Sequence, residues 1–236
     1  MNLRVLIEPA IRASYPALQV RVLRAKGKLS MSLDESRTQI DAACEALRAS
    51  DISIDHLSEH EVVAAWRNAY RAFGASPSKF KSSIEALMRR ALKGGSLATP
   101  IALVNLYNAA SLRHLTPLGA YDVSLLPAGP IELRYSRPTD TFAPLGGEAK
   151  DFPLSTRTVV YASENRVLCW GFNCRDARDA ALREATEELV VFAESFDDRQ
   201  AKRAEDALID LQQQLGAGFE SVSFVRITEA GVDYSV

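Results

Sequence analysis

Between Ser32 and His114 the apolar residues return at helical spacing in four successive stretches, whereas between Ile131 and Phe172 they return as three short strand-like runs. Helices gathered ahead of strands predict an α+β domain and argue against a doubly wound parallel sheet, in which the two would alternate. Ser32, with Glu35 three residues on, forms a capping box ahead of the face Ile40, Ala43, Cys44 and Leu47. Ser58 and Glu61 repeat that box before Val62, Val63, Trp66, Tyr70 and Phe73, and Gly74 stops the turn. Ile84, Leu87, Met88 and Leu92 mark a short basic helix between Ser76-Pro77 and Gly94-Gly95, and Leu103, Leu106, Tyr107, Ala109 and Ala110 mark another after Pro100. Strands are expected at 3–7 and 18–23 before these helices, and at 131–135, 158–161 and 167–172 after a loop punctuated by Gly119, Pro127 and Pro130. An apolar run at 188–193, a helix through Ala201, Ala204, Leu208, Leu211 and Leu215, and a strand at 222–227 close the chain. A boundary near Asp51 to Asp55 divides it into a strand-helix extension, 1–57, packed on a main domain, 58–236.

The 236 residues are 47% hydrophobic and 25% charged, an ordinary globular balance. No run approaches the roughly 20 apolar residues of a membrane span. Glu8 and Pro9 interrupt what a signal peptide would continue, so the cytoplasm is the expected compartment. Cys44, Cys169 and Cys174 are then expected as free thiols.

The near-zero net charge of −2 conceals segregation. From Trp66 to Lys93, seven basic residues (Arg67, Arg71, Lys79, Lys81, Arg89, Arg90 and Lys93) stand against Glu85 alone, a net +6. From Glu184 to Asp210, nine acids face Arg199, Lys202 and Arg203. Two solvated helical faces of opposite sign would give this pattern, and so would a phosphate-binding surface opposite an acidic one.

Standard catalytic patterns are missing: no phosphate-cradling Gly-rich loop ending in Lys-Ser/Thr, no dinucleotide fingerprint, no Gly-x-Ser-x-Gly elbow. His56 and His60 share a helical spacing without an evident third metal ligand, and His114 suits the end of its helix. Cys174 beside Arg175 is either a small buried hydrophobe or a thiol of lowered pKa. Asn173, Arg175 and Asp176 cluster where a strand meets a loop, a usual place for a site and equally for a hydrogen-bonded turn. Asn105 and Asn108 interrupt an otherwise apolar helix.

The segments Trp66-Arg-Asn-Ala-Tyr-Arg-Ala-Phe-Gly74, Pro77-Ser-Lys-Phe-Lys-Ser-Ser-Ile-Glu-Ala-Leu87, Arg89-Arg90 and Asn105-Leu-Tyr-Asn-Ala-Ala-Ser111 resemble the free-standing B3/4 domain proteins, relatives of the editing domain of the phenylalanyl-tRNA synthetase β subunit. Gly129-Pro-Ile-Glu-Leu-Arg134 is similar to a family Gly-x-Ile-x-Leu-Arg, and Trp170-Gly-Phe-Asn-Cys-Arg175 is loosely similar to Trp-Asn-x-Arg. The resemblance implies an editing-domain fold, with a mixed or antiparallel sheet and flanking helices. It also implies hydrolysis of a wrong amino acid from tRNA in trans, by a bound water and without metal or organic cofactor. A non-catalytic module binding tRNA or an amino acid is the alternative, and self-association through the charge asymmetry is a third.

On the editing reading, Asn105, Asn173 and Glu85 are the catalytic candidates, with Glu85 either acting on water or pairing with a neighbouring base. Ser83, Asn108, Gly119, Tyr121 and Arg175 would bind the aminoacyl group, and Lys79, Lys81, Arg89, Arg90 and Lys93 the acceptor-end phosphates. Two departures stand out. Leu118-Gly-Ala-Tyr-Asp122 matches a family Leu-His-Ala-Phe-Asp, so Gly119 replaces the histidine thought to assist editing, and a looser alignment puts Phe192 where the family has a pocket glutamate, with Glu194 nearby.

Overall fold

Pro9 ends the first apolar run and, with its fixed φ and missing N–H, opens a helix at once. The computed structural model describes residues 3–227, 229, 232 and 234–236. In chain order these form β1 (Arg4–Ile7), α1 (Pro9–Ser14), β2 (Gln19–Gly27), α2 (Leu33–Arg48), α3 (Glu61–Ala72), α4 (Ser83–Leu92), α5 (Ala102–His114) and β3 (Gly119–Asp122). There follow β4 (Ile131–Tyr135), β5 (Val159–Ser163), β6 (Arg166–Trp170), β7 (Arg175–Asp176), β8 (Glu188–Ser195), α6 (Asp198–Leu215), β9 (Phe219–Ile227) and β10 (Tyr234–Ser235).

Two sheets result. One has the order β10-β1-β4-β5-β6-β7, with only β1 and β4 parallel; the other, β3-β8-β2-β9, is antiparallel throughout. The sheets meet through Phe192, whose ring lies 4.9 Å from Tyr161 and 5.7 Å from Tyr121. α5 and α6 cover the other face of the antiparallel sheet, packing Leu106, Ala110, Leu208 and Leu211 against Leu23, Val191 and Ala193. β8 is therefore buried on both faces, which is why 188–193 reads as a continuous apolar run rather than an alternating one.

The α+β expectation is met, with two differences at the front of the chain. The described part of 1–57, expected as an extension packed on the core, supplies strands to both sheets: β1 pairs with β4, and β2 runs between β8 and β9. The second capping box does not form. α3 begins at Glu61 with His60 at its N-cap, because 54–60 close into consecutive turns around buried Leu57. Glu61, instead of folding back, accepts from Arg199 and Arg203 of α6. The box at Ser32 and Glu35 forms as expected.

Arg134, the arginine of the Gly-x-Ile-x-Leu-Arg segment, is fully buried in β4. Its Nη1 and Nη2 donate to Asp140 at 2.7 and 2.8 Å, and Nη2 also reaches the Glu164 carbonyl at 2.9 Å. The side chain thus staples the 136–140 loop and the β5–β6 turn to one strand. Removing one partner of so buried a pair strands the other charge. Asp140→Ala is expected to lower stability by about 3–5 kcal/mol in urea unfolding; a loss below about 1 kcal/mol would show that the staple is dispensable.

Candidate functional site

The site is built on the turn between β6 and β7. Gly171 and Phe172 both take left-handed backbone, with φ of 67° and 62°. That conformation is unfavourable for a phenylalanine, and burial of its ring compensates. Phe172 packs edge-on against Tyr15 at 5.2 Å and Trp66 at 5.8 Å, with Phe196 at 6.0 Å. The twist turns Asn173 inward. Its Nδ2 donates to Glu194 Oε2 at 3.1 Å, its Oδ1 accepts from Tyr70 Oη at 3.3 Å, and its carbonyl accepts from the Ser83 N–H at 3.1 Å, which fixes the start of α4.

Burial pushes the Glu194 carboxyl up to about 7 against the opposing hydrogen bond from Asn173. The Tyr161 hydroxyl faces that carboxyl without a well-formed hydrogen bond of its own.

Beyond the turn, Cys174, Arg175 and Asp176 open onto a cleft of three adjoining cavities. The outer one, about 290 Å³, is lined by Lys79, Phe80, Lys81, Asp151, Phe152 and Arg175. Lys79 Nζ stands 5.0 Å from the Phe80 ring centre and the Arg175 guanidinium 5.3 Å from that of Phe152. The middle one, about 220 Å³, shares Cys174 and Arg175 with it and adds Ser83, Arg90, Asn108, Leu118 and Asp176. The inner one, about 180 Å³, shares Tyr107 and Asp176 with the middle and is otherwise walled by Ile101, Val104, Ala120, Leu145, Ala181 and Leu182, with Thr99.

Burial raises Asp176 to about 6, although a Cys169 hydrogen bond and the Arg175 charge act the other way. Ser83 lines the middle cavity, and its buried Oγ has no hydrogen-bond partner among the described residues. The Cys174 thiol is pushed up to about 11 by burial, despite Arg175, which leaves it protonated and unsuited to nucleophilic attack.

Of the residues singled out from the sequence, the cleft gathers Lys79, Lys81, Ser83, Arg90, Asn108 and Arg175. Asn173 stands behind the wall as its support. The remaining candidates line none of the three cavities. Asn105 is fully buried, and its amide is saturated: Oδ1 accepts from Thr99 N and Oγ1 at 2.7 and 3.0 Å, and Nδ2 donates to Ser36 Oγ and the Thr99 carbonyl, both at 3.1 Å. It clips the α5 entry to α2 and has no capacity left for substrate.

Glu85 is equally buried, held by Arg67 at 2.7 Å and Arg89 at 2.8 Å; this is the ion-pair reading, and it also withdraws Arg89 from phosphate binding. Tyr121 is a core ring against Phe192. Lys93 is exposed at the C-cap of α4 and lines none of the three cavities. Gly119 pairs across the ladder with Phe192, between Leu118 of the middle cavity and Ala120 of the inner one, and a Cβ there would meet nothing within 4 Å.

Sequence reading left Asp176 without a role and missed the inner cavity. The signal was present in α5, where Ile101, Val104, Tyr107 and Asn108 form a second stripe opposite Leu103, Leu106 and Ala110. His56 lies near Glu59 at 3.6 Å, and among the described residues no three His, Cys, Asp or Glu side chains gather as metal ligands. No described helix is long and apolar enough to cross a membrane.

Facing sheets with flanking helices make this an α+β domain. Its family is the B3/4 domain: that family's model matches residues 65–215, and the chain belongs to it. This is the domain of the editing region of the phenylalanyl-tRNA synthetase β subunit. A comparison with curated proteins finds no match.

Asn105→Ala is expected to cost about 1–3 kcal/mol, because Ser36 and Thr99 lose buried partners; wild-type stability with lost activity would return Asn105 to the site. Glu194 gives a pH test. Its folded pKa lies above its unfolded value, so its contribution is intact below about pH 4.5 and is lost as pH rises to about 7. Glu194→Gln, its amide oxygen accepting from Asn173, should remove that slope and be more stable than wild type at pH 8 by about 3 kcal/mol. Parallel urea titrations at pH 4.5 and 8 measure the difference; equal pH dependence in the two proteins would refute it.

Proposed function

We propose that this domain is a trans-acting editing deacylase that hydrolyses the ester of a mischarged aminoacyl-tRNA with a bound water. The order of the cleft supports this reading. Cations and aromatic rings come first (Lys79, Lys81, Phe80, Arg175), polar groups next (Ser83, Asn108, Arg90, Asp176) and an apolar end last. An aminoacylated acceptor end presents the same sequence of chemistry: phosphate and base, then ester and α-amino group, then side chain.

In this reading Asp176, raised to about 6, is largely ionised at neutral pH yet still basic enough to accept a proton. It takes one from water as the water oxygen attacks the ester carbonyl. Ser83 Oγ and the Asn108 amide donate to the oxygen that gains negative charge. The carbon–oxygen bond to the ribose then breaks, the proton passes to the ribose oxygen, and free amino acid and tRNA leave. No step needs a cofactor. Arg90 and Arg175 hold the anionic end.

A non-catalytic binder of the acceptor end is the second reading, favoured by Gly119 and Phe192, which replace the family's imidazole and carboxylate. Deacylation of a panel of correctly and wrongly charged tRNAs separates the two. Asp176→Asn should lower turnover about 10²–10⁴-fold and abolish the acid limb of the rate profile near pH 6 while sparing tRNA affinity. Undiminished turnover in that variant would remove Asp176 from the chemistry, and no release by the wild type alongside tight tRNA binding would establish the binder.

A further inference from the structure

The inner cavity narrows the substrate beyond what the deacylase reading requires. Its wall is aliphatic: Ile101 at the N-cap of α5 and Val104 within it, Ala120 from β3, and Ala181 and Leu182 from the segment ahead of β8. Leu145, 46% exposed, stands at it as well, on a loop whose N–H is tied to the Asp176 carbonyl at 2.8 Å. The polar groups are otherwise engaged or sit at the entrance. The Thr99 hydroxyl lies within hydrogen-bond distance of the Ile101 carbonyl at 3.1 Å and of Asn105 Oδ1 at 3.0 Å. Tyr107 and Asp176 line the middle cavity too, and so mark the junction between the two. A volume of about 180 Å³ is close to the roughly 150 Å³ apolar cavity that admits benzene.

We propose that the acyl group accepted here carries an uncharged, non-hydroxylated side chain no larger than a phenyl ring. The inference rests on the deacylase reading, and its logic is desolvation. A hydroxyl or ammonium carried past the junction leaves water and meets hydrocarbon, whereas a leucine or phenylalanine side chain loses only apolar contact with water. Discrimination against an added hydroxyl by an apolar pocket is limited to about a hundredfold.

The test uses one tRNA esterified in turn to Ala, Leu, Met, Phe, Tyr, Thr and Lys, with hydrolysis rates compared at fixed pH and salt. Leu, Met and Phe esters should be cleaved at least about tenfold faster than Tyr, Thr and Lys esters. Equal or faster cleavage of the hydroxylated or charged esters overturns the proposal. Ala181→Leu, which reduces the space, should slow the Leu and Phe esters more than the Ala ester. Val104→Ala, which enlarges the space without burdening the helix, should raise the relative rate of a Trp ester, so that the argument survives if the first variant unfolds.

If no ester is hydrolysed, the deacylase reading fails by itself, and the pocket is then judged by calorimetry with hydrolysis-resistant 3′-amide-linked aminoacyl adenosines. Tighter binding of the leucyl than the tyrosyl compound, by about tenfold or more, sustains the pocket. Equal binding, or binding of neither, overturns it.

Discussion

The buried amide of Asn173 holds the architecture of the site together. From one turn it reaches Glu194 in the second sheet, Tyr70 on α3 and, through its carbonyl, the first residue of α4. Those contacts are possible only because Gly171 and Phe172 turn the chain left-handed, and that turn persists only because the Phe172 ring is embedded among Tyr15, Trp66 and Phe196. Local strain is thereby offset by aromatic burial contributed by α3 and by both ends of the chain's core. What the strain achieves is direction: Asn173 points into the interior, and the next three residues are delivered to the cleft.

The charge asymmetry of the sequence resolves into two populations. Arg67 and Arg89 close on Glu85, so part of the basic segment serves to anchor α3 to α4. Lys79, Lys81 and Arg90 line the cleft and leave a local positive field at its mouth. Much of the acidic segment is likewise internal bookkeeping: Asp210 binds Arg113 and His114, Glu205 binds Arg21 and Arg226, and Asp206 binds Lys202. Net charge by segment showed where charge lies along the chain. It could not show which charges neutralise one another, because many of the partners are far apart in sequence: 18 residues for Arg67 with Glu85 and 138 for Glu61 with Arg199.

The same limit explains what else was and was not legible. Periodicity located α2, α4, α5 and the strands of the middle chain, since those elements present one buried face each and their patterns are local. Asn105 was noticed because an amide on an apolar helix needs hydrogen bonds, and that reasoning holds; its partners, Thr99 and Ser36, turned out to be structural. Tyr121 was assigned by alignment to a motif, yet on a β-strand successive residues face opposite ways. Leu118 and Ala120 line the cleft, and Tyr121 therefore faces the space between the sheets.

That alternation also gives meaning to the two departures from the family pattern. Gly119 and Phe192 are direct partners in the β3–β8 ladder, on the face that looks toward Tyr161 and the first sheet. An imidazole and a carboxylate at such positions would support one another across the ladder; either alone would sit beside aromatic carbon with its polar atoms unpaired. With neither present, the pair is an apolar contact with open space over Gly119. At the cleft, on the other sheet, the carboxyl of Asp176 is raised by burial, against a hydrogen bond from Cys169 across the β6–β7 pair. The strained turn at Phe172 fixes the position of that carboxyl at the end of β7.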